Sequence, residues 1–312
     1  GESILPRTPF QFVEDLGKLD SQNAVEIVKE MGKDGMLPEL SVDHIVGNIS
    51  DRQKDIELLR LSWKTAKDQL SLAPGEEEKN TLEQAIISYA NSALDQLRLR
   101  FGILSKPVSD EAVRFSPEFP FSGSKTLGEF ALLDQMARVD TNNLHPMTIA
   151  NIAIHEIAHF KSYGSISVDE MEAGIRRSFS RVGLTVHDRR TGARYLNALN
   201  EAVTEETANR LLQSMPEDHP ELGVLAVYCH QKEARIATTE QENLTAHRLK
   251  PHWILRKGVG NVEPSARDTS AYTTERNLME DLFEKLIDRN PERFAGQTRE
   301  EAHEALFEML QK

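Results

Sequence analysis

The chain has 312 residues, enough for one large domain or two ordinary ones, and its hydrophobic content of 39% suffices for a buried core at this size. Its formal net charge of −13 disfavours a general nucleic-acid-binding protein and a protein that binds anionic membranes. A single cysteine, Cys229, excludes an intrachain disulfide and a cysteine-based zinc cluster.

The composition also bears on where the protein works. No apolar run is long enough to span a membrane, and residues 1–6 do not have the pattern of a signal peptide. The low cysteine content favours a cytoplasmic location. The leading Gly1 is typical of a chain from which an upstream segment has been removed, so a targeting segment remains an open alternative. No pattern indicates an oligomeric state.

Residues 1–110 have the periodicity of a helical domain. Ser50 and Gln53 have the spacing of a capping box, and the helix behind them carries apolar side chains three and four residues apart. A second amphipathic helix, with Leu82 near its start, follows a short break, so we expect an αα-hairpin. The acidic run Glu76–Glu78 is expected to form the solvated first turn of this second helix.

Prolines cluster between Ser105 and Gly123, where we place the boundary to a second domain, residues 111–312. Beyond this boundary, Phe130–Val139 is the best candidate for a β-strand. Turn and cap residues follow it, and Pro146 then marks the expected start of a helix.

That helix contains the residues with the clearest chemical meaning. Met147–Tyr163 lacks Pro and Gly and is apolar nearly all round, which predicts a buried helix. His155, Glu156 and His159 form the pattern H-E-x-x-H within it. Residues four apart lie on one helix face, so the two imidazoles can hold one zinc ion while Glu156 acts as a general base. The alternative is a core helix whose histidines are satisfied by ordinary hydrogen bonds.

A second helix, predicted within Ala193–Met215, carries Glu201 and Glu205 four residues apart on one face. One carboxylate can bind the metal, and the other can accept the free N–H of a ligating imidazole. A metzincin would have Gly and His at the positions of Ser162 and Ser165, so that class of metallopeptidase is excluded.

The two motifs together resemble those of the gluzincin metallopeptidases, the clan of thermolysin and the zinc aminopeptidases. The similarity spans residues 126–213, under a third of the chain. It implies an α+β fold, mainly helical with a small sheet, in which a zincin-like catalytic domain follows the N-terminal helical domain. It also implies one zinc ion per chain and a polypeptide substrate. By this match the zinc ligands are His155, His159 and Glu201, the general base is Glu156, and the acid that orients the first histidine is Glu205.

The same resemblance yields further expectations, and this sequence departs from the clan's pattern in the spacing of the ligands. It assigns an edge strand that binds substrate to Leu132–Val139. It calls for a further Tyr or His donor at the oxyanion, and Tyr272 is the first choice from its position between a loop and a helix. The gap from His159 to Glu201 is about twice the usual one, so residues 165–195 are expected to loop out. The substrate-binding Gly-x-Met-Glu-Asn segment of zinc aminopeptidases is absent, which favours an endopeptidase.

We therefore expect a zinc-dependent endopeptidase, a peptide-bond hydrolase. One alternative is a zincin-fold regulatory or interaction protein that binds zinc without peptidase turnover, and the intact Glu156 argues against it. The other is a helical interaction protein with no metal, and the pairing of Glu201 with Glu205 argues against that.

Overall fold

The computed structural model describes residues 38–69, 76, 78–117, 127–142, 144–172, 174–226 and 273–311. Within these residues the chain forms helices and two mixed sheets, so the α+β class is confirmed. The helices expected before residue 38 lie outside the described part, and so does Tyr272. None of the helices described is both long enough and apolar enough to cross a membrane.

The described helices are α1 (Asp51–Gln69), α2 (Thr81–Arg100), α3 (Pro146–Lys161), α4 (Asn197–Gln213), α5 (Thr273–Arg289) and α6 (Arg299–Gln311). The strands are β1 (Val42–Val46), β2 (Val113–Ser116), β3 (Gly128–Ala131), β4 (Met136–Asp140), β5 (Gly164–Met171), β6 (Gly174–Val182), β7 (Thr185–His187) and β8 (Arg194–Tyr195).

Side-chain caps determine where the first two helices begin. The capping box predicted before α1 is present: Ser50 N–H donates to Gln53 Oε1 at 2.9 Å, and Gln53 N–H donates to Ser50 Oγ at 3.3 Å. A second capping box, formed by Asn80 and Glu83, starts α2 at Thr81. The solvated first turn expected at Glu76–Glu78 is therefore wrong, because the cap lies further along the chain. Glu76 is buried and accepts a hydrogen bond from Arg114.

The smaller sheet has the strand order β2-β4-β3, with β2 parallel and β3 antiparallel to the central β4. The single strand predicted over Phe130–Val139 is thus a hairpin. Its turn contains Gln135 with a φ of 54°, and the buried Gln135 side chain accepts a hydrogen bond from Ser41 N–H at 2.6 Å. The edge strand assigned to Leu132–Val139 is wrong, since the hairpin makes β3 an edge strand and places β4 in the centre.

The larger sheet has the order β1-β5-β6-β7-β8, in which β1 runs parallel to β5 and the remaining neighbours are antiparallel. Residues 165–195, expected to loop out, instead supply almost all of the antiparallel meander β5–β8. Gly174, the first residue of β6, and Gly183, between β6 and β7, have φ values of 116° and 54°, which glycine adopts without the steric cost of a side chain. Ile166, Val168 and Phe179 pack this sheet into an apolar cluster.

Helix α3 runs through the largest apolar core of the described residues. Ile154 and Ile157 of α3 pack in the same cluster as Ile86 and Ile87 of α2, together with residues of β2, β4 and α4. The described residues on both sides of position 110 therefore share one core, and the parallel pairing of β1 with β5 joins them again. The division into two folding units stays a prediction.

Candidate metal centre

The sequence around α3 accounts for the orientation of its polar side chains. The helix begins at Pro146, as predicted, and the His145 ring caps it by accepting the Met147 N–H at 3.1 Å. The apolar residues of α3 are buried in the core on several sides. This packing holds the helix so that His155 and His159 meet the side chains of α4.

Three possible ligand atoms form a small triangle between α3 and α4. His155 Nε2 and His159 Nε2 lie 3.0 Å apart, and each lies 3.2 Å from Glu201 Oε2. A tetrahedral zinc ion with ligands at about 2.0–2.1 Å separates neighbouring ligand atoms by about 3.3–3.4 Å. The three residues therefore fit a single metal ion to within a few tenths of an ångström. The described residues contain no second group of three such side chains.

Glu205 lies behind His155 and outside the triangle. Its Oε2 is 3.0 Å from His155 Nδ1, while its Oε1 accepts hydrogen bonds from Asn151 Nδ2 at 3.0 Å and Asn209 Nδ2 at 3.2 Å. The residue is only 1% exposed. The two amides hold the carboxylate, and the carboxylate in turn orients the His155 ring with Nε2 toward the triangle.

The ionisable groups of the cluster shift one another's pKa values. Burial disfavours the charged form of His155, but the hydrogen bonds with Glu201 and Glu205 outweigh burial and raise the pKa of His155 to about 10. Burial opposes ionisation of Glu201, yet its hydrogen bonds with the two imidazoles lower the pKa of that carboxyl well below its ordinary value. A metal ion that enters the triangle therefore competes with a proton for the His155 ring.

Glu156 lies next to the triangle without joining it. The residue is 6% exposed, and burial raises the pKa of its carboxyl, although His155 and His159 act in the opposite direction. Strand β3 passes very close to this carboxylate. A Cβ atom placed on Gly128 would lie 2.6 Å from Glu156 Oε1 and 2.4 Å from Ile152 Cγ2, so only glycine permits this approach.

A cleft of about 480 Å³ gives access to these groups. It is lined by β3 and the turn that follows, by Glu156, His159 and Glu201, and by residues of the larger sheet and of the first turn of α4. We call this space the metal-site cleft. Two residues of the triangle, His159 and Glu201, therefore share this cleft with Glu156.

The structure thus brings together the three predicted ligands His155, His159 and Glu201. The other two predicted residues, Glu156 and Glu205, lie beside them. Leu132 lines the metal-site cleft, but from the turn after β3. Val139 does not line this cleft: it is 0% exposed and belongs to the central strand β4. The reason is that Val139, although it pairs with Gly128 of β3, is buried in the main apolar core.

Several asparagines of the site were not predicted from the sequence. Asn151 and Asn209 hold Glu205, and Asn200 Nδ2 lies 3.5 Å from His159 Nδ1. Asn151 precedes His155 by four residues and Asn209 follows Glu205 by four, so helical spacing alone was a usable signal. Gly128 carried no such signal, because its contact with Glu156 joins distant parts of the chain.

We expect the purified protein to hold about one metal ion per chain, and His159→Ala to lose it, because only two donor atoms would remain. His303→Ala, which changes a histidine on α6 outside the triangle, is the matched control. Elemental analysis of the three proteins measures the metal content. Equal metal in wild type and His159→Ala would contradict the assignment.

The chain was compared with protein-family models, with curated proteins and with solved structures, and none of them matches. The interpretation of the centre therefore rests on its own chemistry: a group of two imidazoles and one carboxylate, spaced to hold a metal ion, beside a buried carboxylate.

Proposed function

We propose that the protein is a zinc-dependent metallopeptidase of the gluzincin type and that it acts as an endopeptidase. The observation that carries this proposal is the three-atom triangle together with the buried Glu156 carboxylate, since His159 and Glu201 of the triangle line the same cleft as Glu156. A set of two His and one Glu leaves a fourth coordination position open, which is typical of catalytic zinc sites and unlike closed structural sites.

A bound zinc ion would supply Lewis acidity toward a peptide carbonyl and would make a water molecule more acidic. In this proposal Glu156 accepts a proton from the attacking water and passes it to the leaving amine. Glu205, Asn151 and Asn209 serve to keep His155 in place.

The strand β3 supports a polypeptide as the substrate. It is an edge strand of the smaller sheet and lines the metal-site cleft along its whole length, Gly128–Ala131. Within the described residues one edge of β3 has no strand partner, so its backbone groups can pair with an extended chain. Such pairing recognises the peptide backbone rather than a particular side chain.

Digestion of casein tests the proposal. We expect cleavage at internal bonds, giving intermediate fragments rather than single released residues, since nothing in the sequence resembles the amino-terminus clamp of zinc aminopeptidases. Removal of the metal with 1,10-phenanthroline should abolish cleavage, and added zinc should restore it.

Two results would count against peptidase activity. Cleavage that persists in the metal-free protein would exclude a metal-dependent reaction. Protein that holds a full complement of metal but cleaves no unfolded substrate would favour the alternative of a zinc-binding regulatory protein.

A further inference from the structure

The strands β6–β8 concentrate positive charge in a chain that is acidic as a whole. Residues 174–196 contain six arginines and one acidic residue, Asp188, whereas the full chain has a net charge of −13. The guanidinium group of an arginine can bind carboxylates and carbonyl groups and can stack on aromatic rings. These partners differ from one arginine to the next. Three of the arginines contact other parts of the fold, whereas Arg194 lines the metal-site cleft.

Three of these arginines are engaged by the fold. Arg177 binds Glu57 of α1 through two hydrogen bonds of 2.5 and 3.0 Å. Arg189 pairs with Asp169 at 2.7 Å, across the sheet. Arg181 donates a hydrogen bond of 2.6 Å to the Gly183 carbonyl and stacks over the Tyr163 ring. Their N–H groups form contacts within the meander and between the meander and α1.

Arg194 is placed differently. It lines the metal-site cleft, and its guanidinium carbon lies 5.0 Å from the centre of the Phe179 ring, which lines the same cleft. Among the residues that the structure describes, no carboxylate lies within ion-pair distance of Arg194, and the side chain is exposed. The stacking engages the flat face of the guanidinium and leaves its N–H groups free to donate at the edge.

The other charged residues described in the lining of the metal-site cleft are glutamates. Among the described residues that line the metal-site cleft, Arg194 is the only Lys or Arg. Glu201 belongs to the triangle, Glu156 lies beside it, and Glu129 faces Arg138 at 3.6 Å. Arg194 therefore offers a positive charge to whatever enters the cleft, and a carboxylate is the group that a guanidinium edge binds best.

We infer that Arg194 binds a carboxylate of the substrate in the metal-site cleft, and so confers a preference for peptides that present a carboxylate there. This inference rests on the proposed function, because it assumes that a peptide occupies the metal-site cleft. The carboxylate belongs either to an Asp or Glu side chain or to the free carboxyl terminus of a peptide. Both sources present the same two oxygens to the guanidinium.

Three peptide hydroxamates distinguish the sources, since a hydroxamate binds the metal without being cleaved. They are hydroxamates of Leu-Glu amide, Leu-Gln amide and Leu-Gln with a free carboxyl terminus, and their affinities are measured by calorimetry. We expect wild type to bind at least one of the two acidic probes about tenfold more tightly than the neutral amide. The acidic probe that gains affinity identifies the source.

Arg194→Ala should lose this preference and still bind the neutral probe as wild type does, which shows that its metal centre is intact. Arg190→Ala removes an exposed arginine of the same meander that does not line the cleft, and it should keep the full preference. A wild type without any preference, or a preference of equal size in wild type and Arg194→Ala, would overturn the inference.

The probes separate this inference from the proposed function. If the preference depends on Arg194 but no substrate is cleaved, the carboxylate site stands and the peptidase activity fails. If casein is cleaved and Arg194 has no influence on probe affinity, the peptidase stands and the carboxylate site fails.

Discussion

The substitution Glu156→Gln is expected to lower peptide cleavage by about 10²- to 10⁴-fold while metal content and fold stay as in wild type. Glu156 contributes no atom to the triangle, and glutamine has nearly the same volume, so neither a metal ligand nor the packing against Gly128 is lost. An amide cannot accept the proton of the attacking water, and the loss should therefore fall on the chemical step. Digestion of casein by both proteins, with elemental analysis of the same samples, measures the two effects together.

Glu111→Gln makes the same chemical change at an exposed carboxylate outside the cleft and should cleave casein as wild type does. Equal rates for Glu156→Gln and wild type would show that the assigned proton transfer is wrong. Loss of metal in Glu156→Gln would instead mean that this carboxylate helps to form the metal centre.

The two carboxylates of α4 should differ sharply in their effect on metal affinity. Glu201→Ala is expected to nearly abolish binding, because Glu201 Oε2 lies within 3.2 Å of both imidazole nitrogens. Glu205→Ala should weaken binding about 10- to 100-fold, since it removes only the group that orients His155. Competition with a zinc chelator of known affinity gives the dissociation constant of each variant.

The neighbouring Glu206 supplies a control on the same helix. Its carboxylate pairs with Arg210 at 2.9 Å and with Arg276 at 2.6 Å, away from the triangle. Glu206→Ala should therefore bind zinc like wild type. A larger loss in Glu205→Ala than in Glu201→Ala would exchange the roles of the two residues.

Both helices that form the metal centre could be predicted from the sequence, because helical structure follows from contacts between residues three and four positions apart. Pro146 marked the start of α3, the H-E-x-x-H spacing placed two imidazoles on one face, and Glu201 and Glu205 shared a face of α4. The same spacing could have indicated Asn151, which lies one turn before His155. Spacing left open, however, which of the two glutamates would reach both imidazoles.

Only the tertiary structure decided which elements surround that centre. The meander of residues 165–195 and the hairpin that makes β3 an edge strand depend on strand pairing, and the approach of Gly128 to Glu156 depends on the packing of β3 against α3. Strand register is set by the partner strand and by the turn between them, so a local pattern does not specify it. The position of Arg194 at the cleft has the same origin, because the pairing of β8 with β7 and the contact with Phe179 place it there.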